Sequence, residues 1–81
     1  MDNKQMRDWM QQNLGKLKTL RDEIHVDLHL AGMDAKKKWT EMEPKLRDAE
    51  KLVDNVSESS HKAMEEMVEH FRKFRESLRR H

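Results

Sequence analysis

Cysteine and tyrosine are absent from the 81 residues, proline occurs once and glycine twice. Without cysteine there is no disulfide to staple a small fold and no thiol for nucleophilic or metal chemistry. With Pro44, Gly15 and Gly32 as its only strong breakers, the chain lacks the punctuation of short strands and tight turns. No Gly-rich phosphate loop is present. The longest apolar run is Leu30–Met33, far short of the ~20 residues that span a bilayer, and the N-terminal MDNKQMRDWM contains no apolar segment of a secretory signal. These absences predict a cytoplasmic protein with no transmembrane segment and no cofactor.

Hydrophobic residues make up 35% of the chain and charged ones 41%, with a mean hydropathy of -1.17. A core this thin stabilises a small domain by only about 3–5 kcal/mol, and with no disulfide the remaining remedies are a metal or oligomerisation. The wealth of Ala, Glu, Lys, Arg, Leu and Met is that of long helices, so residues 1–81 are expected to form one all-α domain. The net charge of +1 excludes a polyelectrolyte. Its distribution is uneven, because residues 41–69 are mainly acidic whereas Arg72, Lys73, Arg75, Arg79 and Arg80 crowd the C-terminus.

An apolar stripe runs almost from end to end, through Met6, Met10, Leu14, Leu17, Leu20, Ile24, Leu28, Ala31, Ala35, Trp39, Met42, Leu46, Ala49, Val53, Val56, Ser60, Ala63, Met67, Phe71, Phe74 and Leu78. Its mean spacing of 3.6 residues is the pitch of a straight α-helix, and Ser60 is its one polar member. Between Asp22 and Asp34 a second set appears. Val26, Leu30 and Met33 fall roughly opposite Ile24, Leu28, Ala31 and Ala35 on a helical wheel. Ile24–Leu30 also alternates with period two, as a half-buried strand would, but no other alternating run exists to pair with it. A helix with two apolar flanks needs two partners. The chain can supply one, and a second copy is expected to supply the other through Val26, Leu30 and Met33.

Three places can break the stripe. Gly32 is one, the run Ser57-Glu58-Ser59-Ser60 with its N-capping residues is the second, and Pro44 is the third. Thr40-Glu41-Met42-Glu43 just before Pro44 has the form of a capping box, and a fold there gives arms of nearly equal length. The preferred reading is therefore an antiparallel two-helix hairpin, with helix 1 over about 3–39, a turn over about 40–43 and helix 2 over about 44–79. This register sets Trp9 and Met10 near Phe74, Leu17 near Met67 and Leu28 near Val56. Two hairpins would form a homodimeric four-helix bundle. The runner-up is a three-helix bundle turning near Gly32 and Ser57.

The segment LRDEIHVDLHLAGMDAKKKW, followed by EPKL, resembles short uncharacterised bacterial coiled-coil proteins over about the middle third of the chain. That resemblance implies a helical fold and no activity. The chain is also similar, more faintly, to secreted helical hairpins of the WXG type, with Trp39-Thr40-Glu41 at the bend; the motif's glycine is missing, with Glu41 in its place.

Chemistry has few footholds. His25 and His29 lie one helical turn apart with Asp22 three residues before His25, a set that could ligate zinc or copper, although neither a third His nor an HExxH motif accompanies it. Ser57, Ser59 and Ser60 beside His61 read as cap residues rather than activated nucleophiles. The basic C-terminal residues, joined by Lys4 and Arg7 if a hairpin closes and lying beside Trp9, Phe71 and Phe74, could grip phosphates of nucleic acid or anionic lipid. Cations in the last turns of a helix also simply complement its dipole. The function expected is a non-enzymatic structural or protein-interaction module, a self-associating helical hairpin. The alternative is a small nucleic-acid or membrane-surface binder acting through the basic end.

Overall fold

The computed structural model describes residues 2–80, and over these the chain is helical with no strand. Helix α1 spans Asn3–Leu28, α2 Met33–Met42, α3 Lys45–Asp54 and α4 Glu58–Arg79. Asp2 caps α1 by accepting the Gln5 amide at 2.7 Å. Ser57 and Ser60 form a reciprocal capping box at the start of α4, with Ser60 N donating to Ser57 Oγ at 3.2 Å and Ser57 N donating to Ser60 Oγ at 2.7 Å. Ser60, the polar member of the stripe, is thus buried as a cap.

The chain turns back at residues 29–32 and 55–57, and the expected hairpin with its turn at 40–43 is not what forms. Backbone angles stay right-handed helical through Glu43 (φ -55, ψ -41) and Pro44 (φ -59, ψ -21). Proline has no N–H to give to Thr40, so the helix tightens there through Leu46 N to Glu43 O (3.0 Å) and Arg47 N to Pro44 O (3.1 Å). Thr40 is no cap; its hydroxyl donates to the Lys36 carbonyl at 3.0 Å, deep within α2. Pro44 therefore bends one arm instead of ending it, and α2 with α3 makes the middle arm of a three-arm bundle.

The outer arms, α1 and α4, run parallel. Trp9 stacks on His61, Glu23 meets Arg75 and Asp27 meets Arg79, a constant offset of 52 residues. The antiparallel hairpin register, which set Trp9 near Phe74, is replaced by this one. The bundle measures 43 × 18 × 15 Å. Its core is Met10, Leu17, Leu20 and Ile24 from α1, Trp39 from α2, Leu46 and Ala49 from α3, and Met64, Phe71 and Phe74 from α4. All but Met64 belong to the stripe, which three arms cover from more sides than two could. Trp39 is the only buried residue of α2; its ring meets Phe71 at 5.4 Å and Phe74 at 6.0 Å, and the α2 backbone stands off from the other arms.

Candidate functional site: an apolar face at the α1–α2 turn

Among the described residues, the large apolar side chains left exposed all lie where α1 hands over to α2. Val26 is 68% exposed, Leu30 96% and Met33 83%. Val26 points away from the core because Ile24 and Leu28 on the opposite flank of α1 take the inward positions, whereas Leu30 lies in the turn and Met33 opens α2. Beside them an open depression of about 560 Å³ runs between α1, the start of α2 and the end of α4, lined by Val26, Leu30, Ala31, Ala35, Leu78 and Arg79. Asp27 and Asp34 also line this depression, so its floor is apolar and its edge charged.

The turn beneath this face is lightly built. Leu30 N donates to Asp27 O at 3.3 Å and Ala31 N to Leu28 O at 3.1 Å, the tighter bonds of a 3₁₀ turn. Gly32, in extended conformation (φ -75, ψ 173), stands at the N-cap of α2 and offers no side-chain acceptor to its first amides.

Four of the five basic C-terminal residues lie against acids of the same chain, while Arg80 is exposed. Arg75 Nη1 donates to Glu23 Oε2 at 2.8 Å, Arg79 Nη2 to the same oxygen at 3.1 Å, and Arg79 Nε to Asp27 Oδ2 at 3.0 Å. The hydrogen bond to Asp27 holds the Arg79 guanidinium above its ordinary pKa, partly opposed by desolvation, with further support from the charges of Asp27 and Glu23. Arg72 pairs with Glu69, and Lys73 lies 3.9 Å from that carboxylate. Lys4 and Arg7 sit at the opposite end of the bundle near Val56, since α1 and α4 are parallel, and Phe71 and Phe74 are buried. The cluster of cations and aromatic rings that a closed hairpin would assemble is not brought together.

The histidines have partners of their own. His25 Nε2 lies 3.0 Å from Glu43 Oε2, and its ring meets Trp39 edge-on at 5.5 Å. Asp22 pairs with Arg21 at 3.3 Å, and His29 is exposed at the end of α1. Among the described residues no three His, Cys, Asp or Glu side chains gather as a metal would require, so Asp22, His25 and His29 are not brought together as a ligand set. His61 stacks on Trp9 at 3.9 Å, with Nδ1 3.5 Å from Glu65, while the Ser57 and Ser60 hydroxyls are committed to the cap. No nucleophile is paired with a base there.

Sequence reasoning missed the Glu23–Arg75–Arg79–Asp27 ladder. Its signal was present as two acids one turn apart on α1 and two arginines one turn apart on α4. An antiparallel register kept them far apart. Among the described residues no helix is long and apolar enough to cross a membrane. Comparison with protein-family models, with curated proteins and with solved structures yields no significant match.

Proposed function

We propose that the chain is a non-catalytic protein-interaction module that self-associates as a homodimer through the face of Val26, Leu30 and Met33. The observation that carries this reading is the exposure of these three large apolar side chains around one turn, in a chain whose hydrophobic content is low. Burying each is worth about 1.5–3 kcal/mol, and a two-fold pair buries six. Association costs roughly 4–15 kcal/mol in lost freedom, so the surplus corresponds to a moderate, concentration-dependent dimer rather than an obligate one. The same face remains open to another protein's helix when the dimer is apart.

Each subunit contributes three arms, so the assembly proposed is a pair of three-arm bundles instead of a four-helix bundle of hairpins. Binding of phosphates by the C-terminal end has no comparable support, because Arg75 and Arg79 already hold carboxylates. Light scattering over a range of concentrations tests the reading. The wild-type mass is expected to rise toward twice the monomer's, and Leu30→Glu, which sets a charge in the centre of the face, is expected to hold it at the monomer's with the circular dichroism unchanged. A wild-type chain that stays monomeric at every concentration overturns the proposal.

A further inference from the structure

The two turns of the bundle are built differently. At residues 55–57 the break is secured by the Ser57–Ser60 box, which satisfies the first amides of α4. At residues 29–32 there is no such device: α1 ends in 3₁₀ bonds, Gly32 provides no side-chain cap, and no residue of the turn has positive φ. The apolar stripe meanwhile continues through this turn at helical spacing, from Ile24 and Leu28 through Ala31 to Ala35 and Trp39. Sequence pattern and hydrogen bonding both favour one unbroken helix where the closed chain has a bend. A continuous helix would give the amides of Met33, Asp34 and Ala35 the carbonyls of His29, Leu30 and Ala31.

We infer that two copies of this chain associate by exchange, with residues 29–32 straightening so that α1 and α2 become one helix from Asn3 to Met42. This rests on the self-association proposed above and states its mode. Each bundle is then built from α1 of one chain and α2–α4 of the other. The Trp9–His61 stack, the Glu23–Arg75 pair and the His25–Glu43 contact are kept, now between chains, so the core is remade without loss. The gain comes at the hinge, where the two straightened segments meet and Leu30, Met33 and Leu78 of both subunits gather at one junction. What opens is the packing of α1 on α3 and α4, the most extensive in the bundle, and the exchange remakes all of it against the second copy.

A cysteine-free chain makes the test direct. In the double variant His25→Cys, Glu43→Cys, a short bis-maleimide applied to the dimer is expected to join two chains, giving a covalent dimer on a denaturing gel. Links confined within single chains of a dimeric sample overturn the exchange while leaving self-association standing; a chain that never dimerises overturns both. Two hinge variants give an independent reading. Gly32→Ala is sterically free, since an added Cβ meets nothing within 4 Å, and it favours helix at two hinges per dimer. It should raise the dimerisation constant roughly tenfold or more. Inserting Gly-Ser-Gly between Gly32 and Met33 relaxes the turn and is expected to abolish the dimer with the melting temperature of the monomer kept. A dimerisation constant indifferent to both changes refutes the exchange.

Discussion

Trp39 is the one buried side chain of α2, with Ala35 and Met42 half-buried beside it, so truncating it is the most direct probe of how the middle arm is held. The ring packs on Phe71 and Phe74 and receives the edge of His25, with centroid distances of 5.4, 6.0 and 5.5 Å. Replacing a buried tryptophan by alanine costs about 3–5 kcal/mol through lost transfer energy and the cavity left behind. A single core in a chain of this size stabilises it by about the same amount. Trp39→Ala is therefore expected to leave α2 detached or the bundle largely unfolded at 25 °C. Urea titration followed by far-ultraviolet circular dichroism reads this as a collapse of the unfolding midpoint, and Trp9 remains as an independent fluorescent reporter of the α1–α4 contact. Trp39→Phe is the control. The indole Nε1 is buried without a hydrogen-bond partner, a state that costs about 1–3 kcal/mol, and phenylalanine removes that donor while keeping most of the ring. The Phe variant should thus lose far less than the Ala variant. A loss below about 1 kcal/mol for Trp39→Ala would show that α2 is anchored by something other than this ring, and the reasoning would fail.

Further outcomes follow from other parts of the bundle. A double-mutant cycle of Glu23→Gln and Arg75→Gln should give a coupling on the order of 1 kcal/mol, because these side chains are only 32% and 22% exposed; additive losses would mean the ladder is not formed in solution. Ser57→Ala should lower stability by about 1 kcal/mol in thermal melts, and Ser60→Ala by a similar amount, since each removes half of the capping box at the start of α4. Pro44→Ala should leave stability unchanged or raise it by about 1 kcal/mol, because alanine restores an N–H to a continuous arm; a marked loss would mean that the chain needs proline to turn there.

The helical class and nearly the whole core were legible in the 3.6-residue stripe, because burial follows periodicity whichever way the arms are arranged. Their arrangement was legible only as the second choice, a three-helix bundle turning near Gly32 and Ser57. A stripe that never breaks says where the inside is but not where the chain reverses, and the strongest local breaker, Pro44, turned out to fit helical angles at the cost of one hydrogen bond. The true turns are marked only by an extended Gly32 and by Ser57, weaker signals whose force comes from the tertiary fit of three arms. Val26 could be placed on the outer face because it lies opposite the stripe within α1, while Leu30 and Met33 are exposed where the helix breaks. The contacts of Arg75, Arg79 and His25 could not be foreseen, because each depends on the register between arms.

That register also accounts for the charge pattern. With α1 and α4 parallel, both helices end at the α1–α2 turn, and their C-terminal carbonyls place partial negative charge there beside the carboxylates of Glu23 and Asp27. An antiparallel pair would have cancelled its dipoles; this pair adds them. Arg75 and Arg79 bring positive charge to the same end, where both carboxylates are bound and two helix termini are compensated. Arg75 and Arg79 thus serve as an internal counter-charge for the fold. Little of the apolar face has been offset in this way. Leu30 and Met33 keep almost all their surface in water, and the bend beside them has no side-chain cap.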